Sequence, residues 1–271
     1  MLIVSHNCII VNKDRAGSLE YYGGFEYVDK GSKHSIGDYV IYTDEDSRVS
    51  DCLNFYYQID PPEQPLAETF VEIGSGIGRM TASFTRLYQR VVACDLDAAF
   101  LERCRQTVAQ FGVAPHLQTC HVADGHTLGM PNDSADVVFS YITLQHCHRD
   151  DALGLTREAV RIARPGARVL LNYRTWVPQD AVLFPAGAAV RALFRLPTVG
   201  PKVAQMRLPT RLGWQANRLA PAEVLAAVGD SLDDICIFRS PKRRPFALPN
   251  TIDATFDGID ASHWWLTATV R

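Results

Sequence analysis

No run in this 271-residue chain approaches the roughly 18 uninterrupted apolar residues that a membrane-spanning helix needs, so none is expected. Its seven cysteines are odd in number and contain no Cys-x-x-Cys pair. That argues against a disulfide framework or a zinc site and fits reduced thiols in a cytoplasm. An excess of positive charge is also missing. The net charge of -3 excludes a generalist nucleic-acid binder, because phosphate binding needs a basic field. The opening residues, 1–11, lack a basic start and a small-residue cleavage site, and read as a strand or arm instead of a signal peptide. Repeats and low-complexity tracts are absent. What remains is ordinary globular composition, 47% apolar and 21% charged. Disorder, collagen-like chains and coiled coil are thereby excluded.

The charge that is present is unevenly spread. Met1 to Glu72 carries thirteen acids against five bases, whereas Ala181 to Ala222 carries six bases and no acid. Either two solvated faces differ by chance, or both segments lie outside a central sheet and face each other or a substrate.

Strand and helix patterns alternate through the middle of the chain. Thr69 to Ile73, Val91 to Cys94, His116 to Val122, Ala135 to Ile142 and Ala167 to Tyr173 read as buried strands. Helices are expected at Ile77 to Tyr88, after Asp97 as N-cap, and at Asp151 to Ala163, the last ended by Arg164-Pro165-Gly166. Such alternation predicts an α/β fold with a parallel sheet and right-handed crossovers. After Tyr173 it breaks, and a Pro-rich aromatic stretch at about 175–218 reads as an inserted cap. A helix at Pro221 to Val228 and strands at Asp233 to Arg239 and Ser262 to Arg271 follow. Residues 1–65, rich in tyrosine, form an N-terminal extension or lid with a helix near Val49 to Ile59, and 66–271 the main domain.

The chemistry is expected at Val71-Glu72-Ile73-Gly74-Ser75-Gly76-Ile77-Gly78-Arg79, which follows a strand and opens a helix. Gly74 permits a tight turn, Gly76 lets backbone approach a ligand, and Gly78 lets the helix pack on the strand. The helix N-terminus would offer free N–H groups to a polar or anionic group. Arg79 stands where a dinucleotide fingerprint wants glycine or alanine, and no P-loop Gly-Lys-Ser/Thr follows. Asp95 ends the next strand, where a carboxylate can accept from a ribose diol; otherwise it is a helix cap. Asp124-Gly125, after the third strand, would bind an adenine amino group or simply make a turn.

These residues resemble class I S-adenosylmethionine-dependent methyltransferases, in their small-molecule, type-11-like branch. Glu72 to Gly78 is similar to the family's acid-x-Gly-x-Gly-x-Gly loop, Val92 to Asp97 to its ribose-binding strand, Ala123-Asp124-Gly125 to its adenine segment, Ser134 to Ser140 to its fourth strand, and Ala163 to Leu170 to the turn into its fifth. The resemblance covers about residues 66–175. It implies a Rossmann-like seven-stranded, mostly parallel sheet with a C-terminal antiparallel hairpin. It also implies S-adenosylmethionine as cofactor and S-adenosylhomocysteine as product. Residue by residue, Glu72, Gly74, Ser75, Gly76 and Gly78 would hold the methionine portion, and Arg79 its carboxylate or plain solvent. Asp95 would hold the ribose with Leu96 on adenine; Asp124, Gly125 and His126 would frame the adenine; Ser140 and Tyr141 would lie near the sulfur.

Methyl transfer from a sulfonium needs alignment first, and a base only when the acceptor carries its proton into the transition state. His146 is the candidate general base after the fourth strand, with a structural or binding role as the other reading. His148 is a weaker candidate. The Asp/Asn-Pro-Pro-Tyr/Phe motif of amino-methylating DNA enzymes, the paired-glutamate loop of arginine methyltransferases and the acid that metal-dependent catechol enzymes place after the fourth strand are all missing. His116, His121, Asp124 and His126 lack a recognised metal-ligand spacing. The acceptor is therefore expected to be a small molecule methylated on oxygen or nitrogen, such as a natural product, sugar or lipid precursor, and anionic on the strength of the basic insert. A rival reading has Val182 to Leu196 touching a membrane surface. No nucleic acid and no stable membrane insertion are expected, and a homodimer is left open. Two alternatives stand beside the enzyme: a catalytically silent adenosylmethionine-binding protein, and a nicotinamide-dependent oxidoreductase.

Overall fold

The computed structural model describes residues 65–141, 143–204, 217–239, 245–247, 253–255 and 262–271. The expected helix near Val49 to Ile59 and the extension at 1–65 lie outside these residues, Pro65 excepted.

Short runs of β-branched and aromatic residues become the strands. In chain order the elements are β1 (Leu66–Ile73), α1 (Arg79–Leu87), β2 (Tyr88–Asp95), α2 (Ala98–Phe111), β3 (Leu117–His121), β4 (Ala135–Ser140), α3 (Arg149–Ile162), β5 (Ala163–Arg174), α4 (Asp180–Phe194), α5 (Gly200–Ala204), α6 (Pro221–Val228), β6 (Leu232–Arg239), β7 (Pro245–Ala247), β8 (Asp253–Thr255) and β9 (His263–Val270). Seven strands form one sheet in the order β3-β2-β1-β4-β5-β9-β6. The first five run parallel, while β9 pairs antiparallel with both β5 and β6. The Rossmann-like sheet and its antiparallel end are thus as expected. β7 and β8 form a separate two-stranded pair.

Alternation along each strand divides the core between two faces. On one, Phe70 of β1 meets Phe84 of α1 at 4.3 Å, Tyr88 at 4.7 Å and Phe139 of β4 at 5.8 Å between ring centroids. On the other, Val71, Ile73, Val138, Val169 and Trp264 pack against Leu155, Ala159 and Ile162 of α3 and Val224 and Val228 of α6. Buried on both sides, the central strands read as continuous apolar runs.

Two boundaries differ from expectation. Tyr88, at helical spacing from Phe84, opens β2 instead of ending α1, and its ring stays in the same aromatic cluster. Arg164-Pro165-Gly166 does not separate α3 from β5. The pairing jumps from Ala135↔Ala163 to Val137↔Arg168, so the three residues bulge out within the strand, with Gly166 at φ 83°.

Parallel pairing brings the carboxyl ends of β1, β2, β4 and β5 to one sheet edge. Chain reversal there leaves a crevice between the loop after β1 and the loop after β4, the place where open α/β sheets bind ligands.

Candidate active site

The loop after β1 is bent by three glycines with positive φ: Gly74 at 82°, Gly76 at 55° and Gly78 at 83°. Its amides turn inward. Those of Gly74 and Ser75 both donate to the Cys94 carbonyl, at 2.8 and 3.1 Å, and that of Gly78 donates to Ser75. The amide of Gly76 donates to Asp95 Oδ2 at 2.7 Å. These four donors lash the loop to β2 and to itself. A Cβ on Gly74 would lie 2.2 Å from the Thr143 side chain, so only glycine lets the loop after β4 come this close. The role expected for Gly78 also changes: a Cβ there would meet Cys104 of α2, at 2.6 Å from its sulfur, so the close packing is helix on helix, not helix on strand.

A shallow cleft opens beside this loop, lined by Ile73, Gly74, Cys94, Asp95, Leu96, Val122, Gly125, Thr143, Cys147 and Leu155. Ends of β1 and β2, the turn after β3 and the loop after β4 therefore meet in one hollow. Four of the expected residues line it: Gly74, Asp95, Leu96 and Gly125. Asp95 is the charged group among its walls. The side chain is buried, 4% exposed, and accepts from the amides of Gly76 and, at 3.0 Å, Asp97. Burial pushes its carboxyl from the ordinary 3.8 up to about 7, although both amides pull it down. The Leu96 amide pulls it down as well, and the carboxylate's roughly four lone-pair sites still leave room for a further donor. The helix-cap reading passes to its neighbour: Asp97, not Asp95, caps α2 by accepting from Ala99 and Phe100.

The other expected residues sit around the hollow without lining it. Glu72 is buried and accepts the Thr81 hydroxyl of α1 at 2.6 Å. Ser75, Gly76 and Gly78 form the loop's outer turn. Arg79 begins α1, and its side chain is outside the described residues. The Asp124 carboxylate turns back on its own loop, accepting the amides of His126 and Thr127 at 3.0 and 2.8 Å. The turn reading, not the adenine contact, describes it here. His126 stands beside Asp124 and Asp151, at 3.6 and 3.8 Å. The Ser140 hydroxyl donates to the Ile73 carbonyl at 3.0 Å, tying β4 to β1. Tyr141 stacks on Trp265 at 5.5 Å between centroids. His146 is buried in a short 3-10 turn, its Nε2 2.9 Å from Gln145 Nε2. The structure does not bring that ring to the cleft wall, where Thr143 and Cys147 stand instead. His116 and His121 go elsewhere, to the carbonyls of Thr85 and Leu96.

Sequence reading missed the residue that holds the loop after β4. Asn217, buried, donates from Nδ2 to the carbonyls of Leu144 at 2.7 Å and Cys147 at 2.6 Å. Its neighbour Arg218 makes a buried two-pronged pair with Asp180, at 2.8 and 2.6 Å, and lies over Phe184. Leu219 accepts from the Trp264 indole at 2.9 Å. The strand-like segment 217–219 thus straps the loop to the sheet. The only sequence signal was position, at the very end of the insert. Cys94 is a second unforeseen wall residue. Its thiol donates to Cys120 on β3, which holds Cys94 well up and draws Cys120 down to about 6.

Known proteins resemble part of this chain. Residues 71–171 match the family described as a methyltransferase domain. This segment, rather more than a third of the chain, is thus similar to methyltransferase domains. Over 106 residues the chain is 33% identical to a carboxy-S-adenosyl-L-methionine synthase of Pseudomonas putida, covering 37% of this chain and 43% of that protein. Over 113 residues it is 34% identical to a malonyl-[acyl-carrier protein] O-methyltransferase of Halorhodospira halophila, covering 40% and 35%. The chain therefore spans less than half the length of these curated relatives. Among solved structures, the YcgJ protein of Bacillus subtilis shares the fold, with a TM-score of 0.50 at 16% identity over 77% of this chain and 94% of that one.

The cofactor of this family is S-adenosylmethionine, and the donor set suits it. Apolar walls from Ile73, Leu96, Val122 and Leu155 offer a place for a flat base. Asp95 offers acceptors for a diol at the end of the second strand.

Proposed function

We propose that the chain moves a methyl group from S-adenosylmethionine to an oxygen or nitrogen of a small-molecule acceptor, releasing S-adenosylhomocysteine. The observation that carries this reading is the buried Asp95 carboxylate in the same cleft as Gly74 and Gly125, inside the segment that matches the methyltransferase family. The relatives include a carboxy-S-adenosyl-L-methionine synthase and an O-methyltransferase, which keeps the acceptor open.

Asp95 holds a ribose diol in this reading, with Leu96 against the adenine and Gly125 giving that ring close backbone approach. Asp124 and Glu72 support the walls from behind through Thr127 and Thr81. When bound, the cofactor supplies an already activated methyl group, so the protein's work is to align the acceptor and exclude water. Thr143 and Cys147 would form the wall on the side of the loop after β4. His146 serves this loop as a structural residue, and no general base is assigned. A neutral amine or an ionised carboxylate needs none, whereas an alcohol, which carries its proton into the transition state, would. Of the six cations of the basic insert, Arg218 is neutralised by Asp180, one residue outside the acid-free stretch, so an anionic acceptor rests on the other five.

Calorimetry with S-adenosylmethionine and with a nicotinamide dinucleotide tests the cofactor. We expect binding of the first, weakened by about 1–3 kcal/mol in Asp95→Ala as ribose donors lose their acceptor. Nicotinamide binding without adenosylmethionine binding would sink the reading. Incubation with methyl-labelled cofactor and a metabolite extract, read by mass spectrometry, tests transfer. Binding with no labelled product would favour the silent binding protein.

A further inference from the structure

Helix α4 (Asp180–Phe194) follows β5 at the same sheet edge as the cleft, and its outer side is apolar throughout. Its exposed positions are Ala181, Val182, Pro185, Ala188, Ala189, Ala192 and Leu193, all apolar. They recur at spacings of three and four, and so form one stripe along the helix. Leu196 continues it. Val182 is 72% exposed, Leu193 40% and Leu196 45%, and Trp176 before the helix is 56% exposed. The inner side is fixed: Val190 and Phe194 pack with Val203, and Asp180 is held by Arg218. The stripe is thus the outward face of an anchored helix about 22 Å long.

Cations gather at one end of this stripe. Arg191 lies on the last turn, and Arg195 and Lys202 are exposed just beyond it. No acid occurs from Ala181 to Ala222. We infer that α4 docks on an anionic phospholipid surface, its aliphatic stripe in the acyl boundary and Arg191, Arg195 and Lys202 against the headgroups. An apolar face with a cationic rim binds such interfaces through area and charge together. No described helix is long and apolar enough to cross a membrane, so the helix would lie in the interface. A second copy fits less well, because its matching face would bring the same cations to an acid-free stretch. An acidic protein partner would answer the cations, but the stripe offers it no hydrogen-bonding side chain. Lipid docking does not depend on methyl transfer, and its test reads none.

Co-sedimentation of the full chain with vesicles decides it. Vesicles of phosphatidylcholine with about 30% phosphatidylglycerol should pellet the protein, phosphatidylcholine alone should pellet much less, and about 0.5 M salt should weaken the difference. Val182→Glu and Leu193→Glu should each lower partitioning at least tenfold with circular dichroism unchanged. Arg195→Gln with Lys202→Gln should remove the preference for the anionic lipid. Failure of the unaltered chain to pellet with anionic vesicles overturns the inference, as does equal binding by folded Glu variants. So does finding the stripe buried in a dimer by analytical ultracentrifugation, or capture by an acidic carrier protein in place of the vesicles.

Discussion

Asp95 and Asp124 each follow a strand of the same parallel sheet, one register apart in the order β3-β2-β1, and each accepts two backbone amides. Their surroundings differ. Asp95 takes its amides one on each oxygen, from two different loops, and is 4% exposed inside the cleft. Asp124 takes both on a single oxygen from its own turn, with its side chain 46% exposed. Burial raises the first carboxyl to about 7. For the second, burial also raises, but hydrogen bonds from Thr127 and His126 outweigh it and the carboxyl goes down. Two aspartates at similar places on a sheet thus acquire different chemistry from how deeply each is buried. The buried one retains unused acceptor sites in a poorly solvated hollow, where an added donor is worth most.

The largest way to break this contrast is to destroy the loop that buries Asp95. Gly74→Ala puts a β-carbon at φ 82° and 2.2 Å from Thr143. Strain and overpacking together should cost about 3 kcal/mol or more in thermal or urea unfolding, and cofactor binding should vanish by calorimetry. Asn217→Ala should cost about 1–3 kcal/mol in the same unfolding experiment, by orphaning the buried carbonyls of Leu144 and Cys147. Its binding defect should be smaller than that of Gly74→Ala, because the loop after β4 forms only one wall.

Protons sharpen the contrast further. The folded chain keeps its proton on Asp95 up to about pH 7, whereas the unfolded chain gives it up near the ordinary 3.8. Between these values the folded state binds more protons, so this group's contribution to stability falls as pH rises from about 4 to 7. Cofactor binding has the opposite slope, because diol donors favour the ionised carboxylate. Affinity for S-adenosylmethionine should rise about tenfold from pH 6 to pH 8 and flatten above it, and Asp95→Asn should abolish the slope. A flat calorimetric profile in the unaltered chain would remove the ribose contact from Asp95.

Much of this site was legible because burial writes itself into sequence. Val71, Val92 and Val137-Val138 announce two-sided burial as apolar runs, and Gly74, Gly76 and Gly78 mark a backbone that L-residues rarely adopt. Tyr88 was not legible, since an aromatic ring at helical spacing serves a helix end and a strand start equally while pointing into one cluster. Gly166 signals a reversal in either a turn or a bulge. Asn217 could not be seen at all. Its partners lie 73 and 70 residues away and are carbonyl oxygens, which have no residue identity. Charge counting failed at Arg218 for a similar reason, because its partner Asp180 stands just before the stretch that has no acid.

The smallest expected effect tests the comparison most directly. Asp124→Ala removes a carboxylate whose hydrogen bonds all lead to its own turn, so it should loosen that turn by about 0.5–1 kcal/mol in unfolding experiments. Cofactor affinity should change by less than about threefold, since Gly125 rather than Asp124 lines the cleft. Were the drop instead as large as that of Asp95→Ala, Asp124 would have to turn from its loop toward the adenine when the cofactor binds. The two carboxylates would then act as a pair, and the contrast drawn from their burial would hold only for the unliganded fold.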